Sequence, residues 1–244
     1  PFSEILKWKL RKVNINAKID AKNYDNIIQE SYTSQEFDTV IILMDLANYF
    51  EGFQFKIELM DKKSLNDVFF KISEDIKLIL KNLKDNSLVL VSSFTSYAFT
   101  SYKYEYTNFD YLKDRLNIEL RKYIFSNQYI IDLEKIISIE SLDNTYDQRF
   151  FYLTKTLYKP NIYHLFSDRV CAFFANKNSY TKKALILDCD NTLWSGILGE
   201  DGFDNIEMSL ETPKGRVFSD CQNLILDLAK KGVIIGLCSK NNFK

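Results

Sequence analysis

Apolar residues fall into two kinds of pattern along the chain. In residues 64–84, Leu65, Val68, Phe69, Ile72, Ile76, Ile79, Leu80 and Leu83 recur near every 3.6 positions, which predicts a long amphipathic helix. Residues 2–12, with Phe2, Ile5, Leu6 and Leu10 on one face, predict another, as do residues 109–125 and 162–176. Between them, Val40 to Met44 is a continuous apolar run of strand length, Ser87 to Ser92 reads as another buried strand, and Gln128 to Leu133 is strand-like. Val13 to Ile19 alternates apolar and polar residues and predicts a half-buried strand. Strands alternating with helices predict βαβ units, hence an α/β fold with a parallel sheet.

The same pattern restarts near the end of the chain. Ala184 to Leu187 reads as a short buried strand and Val233 to Cys238 as a second. The helix between them is well punctuated: Thr212 suits its N-cap, Pro213 its first turn and Gly232 its exit. Val217, Phe218, Cys221, Leu224, Ile225 and Leu228 form its apolar stripe. Six of the seven glycines lie after residue 195, a change that predicts two units with different loop needs. The polar stretch from Lys177 to Lys182 is the natural junction, giving domains 1–180 and 181–244.

Composition narrows the function classes. The chain is 46% apolar and 27% charged, enough to bury a substantial core. Its formal net charge of -1 argues against a basic nucleic-acid surface. No apolar run nears the roughly 20 residues that span a bilayer, and no secretory leader is visible. The four cysteines match no zinc pattern and read as reduced, mostly buried thiols, as in a cytoplasmic protein.

The candidate chemistry lies in Leu187-Asp188-Cys189-Asp190-Asn191-Thr192-Leu193. Two carboxylates sit two residues apart just beyond a buried strand, and open α/β sheets bind ligands outside the carboxyl ends of their strands. Carboxylate oxygens are hard ligands suited to Mg²⁺, which itself suits phosphate. The same residues also suit a strand ending in a turn, with Asp side chains capping backbone amides. Cys238-Ser239-Lys240-Asn241-Asn242 ends the next strand, so a parallel sheet places the Ser239 hydroxyl on the same edge as the two aspartates.

Asp188-Cys189-Asp190-Asn191-Thr192 resembles the DxDxT motif of the haloacid-dehalogenase (HAD) superfamily, and Ser239 resembles its second motif. The longer runs LDCDNTLWSGILGEDG (187–202) and CSKNN (238–242) are similar to the FkbH-like phosphatase branch. The resemblance implies the start of a HAD Rossmann-like domain. It assigns Asp188 as the nucleophile that forms an aspartyl-phosphate and Asp190 as the acid–base partner. Mg²⁺ would be held by the Asp188 carboxylate and the Asp190 backbone carbonyl. The phosphate would be held by Ser239, with Lys240 and Asn241 beside it. The implied substrate is an acyl or sugar phosphate of polyketide or surface-polysaccharide biosynthesis, free or linked to a carrier protein such as an acyl carrier protein. The family's downstream Lys and second acidic metal ligand have no counterpart before Lys244. A fragment with weak or no phosphatase activity is therefore expected. Only a loop and one helix fit between Thr192 and Val233, so an open site and a large partner are expected there.

The first unit resembles the flavodoxin-like or SGNH-hydrolase-like three-layer α/β/α domain of the same proteins, without its first strand. An esterase of that type needs a nucleophilic serine and a late DxxH. His164 lacks the Asp, and Ser92 and Ser93 lack flanking glycines, so these residues read as structural. The unit reads instead as a domain that binds a carrier protein or partner, with a carbohydrate esterase as the remaining alternative. Cys189 reads as packing, and Cys238 as packing or a thiol for acyl transfer. Trp194 and the loop from Gly196 to Gly202 read either as a substrate-gating flap or as a hairpin, with Glu200 and Asp201 as solvated flap charges.

Overall fold

The computed structural model describes residues 2–22, 26–49, 52–100, 105–177 and 182–240. The fold is α/β with parallel sheets, and the chain divides into two compact units, Pro1–Phe174 and Ala175–Lys244. Of the predicted junction, residues 178–181 lie outside the described residues.

The first unit is built on β1 (Thr39–Ile42), β2 (Leu88–Ser92) and β3 (Gln128–Ile131), in the order β1-β2-β3 and all parallel, with Val40 opposite Val89 and Val91 opposite Ile130. Strand β2 is buried at every position, as its unbroken apolar run requires. Its side chains alternate between two cores. Val89 and Val91 share a core with α3 (Lys62–Asn82) and α4 (Asn108–Tyr123) through Ile76, Leu80, Leu112 and Leu116, and α2 (Ile27–Thr33) packs Ile27 and Ile28 against it. Leu88 and Leu90 share the other core with α1 (Phe2–Lys12), α5 (Leu133–Ile137), α6 (Gln148–Thr154) and α7 (Pro160–Lys177) through Leu6, Leu10, Ile136, Phe151, Phe166 and Val170. The period-2 alternation of one central strand thus makes three layers. The crossover helices α3 and α4 share one face, as crossovers of the same hand require.

Helix ends follow local chemistry. Asp61 accepts a bond from the Ser64 N–H at 2.9 Å to cap α3. Thr107 and Asp110 form a reciprocal capping box at α4.

The predicted strand from Val13 to Ile19 does not form. Asn14 adopts φ 59, and the Val13 and Ile15 amides return to the Leu10 carbonyl to close α1. The following backbone has no regular structure and joins no ladder, with Ile15, Ala17 and Ile19 leaning on the second core. The alternation read side-chain facing correctly; pairing depends on a neighbouring strand that the local sequence does not encode.

The second unit contains β4 (Ala184–Leu187), α8 (Pro213–Lys230) and β5 (Ile234–Leu237), with β4 and β5 parallel and Leu187 opposite Leu237. Thr212 caps α8 by accepting from the Gly215 N–H at 3.0 Å, Pro213 follows it, and Gly232 turns the chain out at φ 90. No described helix is long and apolar enough to cross a membrane.

Candidate functional site at the carboxyl edge of the second sheet

Register fixes where the sequence-predicted residues sit. Leu187 and Leu237 are the last paired positions, and the Cys238 N–H still donates to the Leu187 carbonyl at 2.8 Å. Asp188 and Cys238 are therefore each one residue past the ladder, and Ser239 is two past it. All three lie on the same edge of the sheet. Asp188, Ser239 and Lys240 are exposed, while Asp190 is half-buried. Asn241 lies outside the described residues.

Cys189, between the aspartates, is buried at 5% exposure, so alternation points it into the unit and leaves its neighbours on the open side. Cys238 corrects the expectation of mostly buried thiols: it is exposed, because it stands at the strand tip where no layer covers it. Cys171 is buried and Cys221 intermediate, and all four thiols are free.

Backbone amides surround the two carboxylates. Asp188 Oδ1 accepts from the Cys189 N–H at 2.8 Å. Asp190 Oδ1 accepts from the Trp194 indole at 3.2 Å and from the Leu198 N–H at 3.1 Å. The turn-capping reading of this motif is thus met as well, since these bonds also satisfy loop amides. Asn191 takes φ 55, and its side chain accepts from the Gly196 N–H at 3.0 Å. The turn is closed by Thr192 and Leu193 amides donating to the Cys189 carbonyl.

The segment after the motif is a compact hairpin-like loop. Ser195 and Glu207 exchange backbone bonds at 2.8 and 2.9 Å as an antiparallel bridge. Inside it, Leu198–Asp201 forms one helical turn. Asp201 is not merely solvated: its Oδ2 accepts from the Ile197 N–H at 2.7 Å. From α8, Gln222 Nε2 donates to the Leu193 carbonyl at 2.6 Å. Sequence reading missed the bonds from Trp194 and Leu198 to Asp190. The only local signal was the glycine spacing that allows the loop to fold back. Between Thr192 and Val233 there is only this loop and α8.

Hard oxygen donors at one strand end suit Mg²⁺, which binds proteins through one or two carboxylates and takes its other ligands from phosphate and water. Asp188 and the Asp190 carbonyl fit that sparse set. Among the described residues no group of three His, Cys, Asp or Glu forms a denser metal cluster.

In the first unit, the serines considered as nucleophiles are structural. Ser92 is fully buried and accepts from the Met44 N–H at 2.7 Å; Ser93 accepts from the Leu133 N–H at 2.8 Å. Each hydroxyl braces one strand end to the next segment. His164 stands edge-on to Trp8 with ring centroids 6.3 Å apart. A surface groove of about 410 Å³, lined by Phe69, Phe70, Ser73, Arg115, Ile118 and Tyr123, holds none of the predicted site residues.

No protein-family model matches the chain, and no curated protein matches it. Among solved structures, the chain is similar to the N-terminal part of the protein BF1531 from Bacteroides fragilis, a crystal structure containing a phosphatase domain complexed with Mg. The TM-score is 0.74 at 24% sequence identity, and the match covers 99% of this chain and 66% of that one. This chain thus spans about two thirds of that neighbour's length. The likeness shows the fold.

Proposed function

We propose that the second unit supplies the nucleophile half of a Mg²⁺-dependent phosphatase or phosphotransferase site of the HAD type, FkbH-like in its motifs. The observation that carries this reading is the register: Asp188 and Ser239 leave adjacent parallel strands on one edge, with Asp190 held beside them. The Mg-complexed phosphatase domain of the structural neighbour supports it.

The chemistry runs through this chain's own groups. An Asp188 carboxylate oxygen attacks phosphorus, and the bond from phosphorus to the leaving oxygen breaks. Asp190 gives that oxygen a proton. It then takes a proton from water as the water attacks the aspartyl-phosphate and releases inorganic phosphate. Ser239 donates to a phosphate oxygen, with Lys240 offering positive charge nearby. Bound at Asp188 and the Asp190 carbonyl, Mg²⁺ would neutralise charge on the phosphate. Because only a loop and one helix lie between the motifs, the site is open enough for a large substrate. An acyl or sugar phosphate carried by a partner such as an acyl carrier protein is the class we favour, with the first unit as the partner-binding domain.

Phosphate release from acetyl phosphate, with and without Mg²⁺, tests the reading, together with mass spectrometry of Asp188. At most weak release is expected of this chain, dependent on Mg²⁺ and lost in Asp188→Asn, with a phosphoryl adduct on Asp188 in the parent protein. Turnover undiminished in that variant, or neither turnover nor adduct in the parent, overturns it.

A further inference from the structure

Helix α1 spends one face on the core and leaves the other charged. Leu6 and Leu10 are buried at 2% exposure, with Phe2 and Ile5 packed beside them. The helix also carries Lys7, Lys9, Arg11 and Lys12 against a single acid, Glu4, in a chain whose formal net charge is -1. Lys9 is taken up by Asp168 on α7 and is largely buried there. Among the described residues no carboxylate pairs with Lys7, Arg11 or Lys12. Beside these cations stands Trp8, 51% exposed. Tryptophan is highly buried on average, so an indole left half in water is informative. Its ring is not loose. The Lys12 ammonium sits over it at 3.7 Å, and His164 of α7 meets it edge-on with centroids 6.3 Å apart.

A held, exposed Trp among cations has the make-up of an interface anchor, since Trp and Arg are enriched where binding energy concentrates. The charge selects the partner. Three unpaired cations repel a basic surface and attract an acidic one. A bilayer fits poorly, because an interfacial helix inserts an apolar face, and α1 has its own locked in the core through Leu6 and Leu10. We propose that the Trp8, Arg11 and Lys12 face of α1 docks an acidic helix of a partner protein, with Trp8 as the anchor and the cations as steering charges. This deepens, and rests on, the reading of the first unit as the partner-binding domain.

An acidic acyl carrier protein, titrated into the ¹⁵N-labelled full chain, is the probe. The chain has two tryptophans, Trp8 and Trp194, so its spectrum shows two indole N–H signals, and Trp8→Phe identifies the first by removing it. The Trp8 signal is expected to move saturably as the carrier protein is added. Affinity is expected to fall roughly 10-fold or more in Trp8→Ala, and by a similar factor in the charge reversal Arg11→Glu with Lys12→Glu. Raising NaCl from about 50 to about 500 mM is expected to weaken binding as well, since these charges are exposed to screening. The substituted side chains are exposed, so the variants keep the fold.

A Trp8 signal that stays in place, or binding undiminished in both variants, overturns the proposal. So does equally tight binding of polyglutamate, which would reduce the effect to bare charge, or of phosphatidylglycerol vesicles, which would make the face a membrane surface. Docking needs no turnover. A parent protein that docks the carrier but shows neither phosphate release nor an Asp188 adduct sinks the phosphatase reading alone.

Discussion

At the scale of single residues, Asp45 is a carboxylate whose charge burial makes costly. It follows β1, where its carboxylate accepts from the Ala47 N–H at 3.0 Å and from the Asn48 side-chain amide at 3.2 Å. Burial pushes it up to about 6, and the Ala47 amide pulls only partly the other way. Burial first, and the charge of Asp45 second, raise the Tyr158 and Tyr163 hydroxyls above their ordinary range. An unfolded aspartate titrates near 4. Between about pH 4 and 6 the native state holds a proton that the unfolded chain has lost. The contribution of Asp45 to stability therefore falls as pH rises through that window and is flat above it. Asp45→Asn removes the effect, so the stability lost between pH 4.5 and 7 should shrink by about 1–3 kcal/mol relative to the parent. Urea denaturation of both proteins at the two pH values measures this; the same pH slope in both would show that the carboxylate is not buried as charge.

At the scale of elements, α8 is seated by a glycine. A Cβ on Gly215 would stand 2.2 Å from the Ser209 carbonyl oxygen and 2.8 Å from its nitrogen, both backbone atoms that cannot swing aside. Gly215→Ala should gain up to about 1 kcal/mol in helix propensity yet lose more to the clash, for a net destabilisation of roughly 1–3 kcal/mol. Chemical denaturation decides it, and a neutral or stabilising result would mean that the segment before α8 yields freely. Nothing in the chain's local pattern announced this contact, because it depends on how residues 207–210 return to the helix. The long helices were legible because burying one face imposes a 3.6-residue period on Leu65 to Leu80 and on Phe109 to Leu120. The short helices α5 and α6 were not, since one or two turns leave too few apolar positions to fix a period. In the candidate site the same division holds. Asp188, Asp190 and Ser239 were legible as strand-end residues, whereas the grip of Trp194 and Leu198 on Asp190 required the loop to close in space.

At the scale of the whole molecule, the two units differ in how well their sheets are covered. In the first, β2 lies between two cores, and Val89, Leu90 and Val91 have no exposed surface. In the second, every position of β4 and β5 is exposed or half-buried, and none is buried. Ile186, Ile234 and Leu237 remain 63–68% exposed, and Val217, Leu224 and Leu226 on α8 are exposed too. Apolar burial is what resists opening, so the amides of β2 should exchange only on global unfolding, while those of β4 and β5 should exchange through a cheaper local opening. A gap of about 2 kcal/mol or more between the two sets is expected in native-state hydrogen exchange. Side-chain truncation should follow the same division. Leu90→Ala leaves a cavity in a closed core and should cost about 2–5 kcal/mol. Ile234→Ala, at a largely exposed position, should cost within about 0.5 kcal/mol. Equal protection across both sheets, or a large penalty at Ile234, would mean that the apolar faces of the second unit are covered in solution. The candidate site would then rest on a far stiffer platform than its two strands provide, because Asp188 and Ser239 keep their spacing only as long as β4 and β5 stay paired.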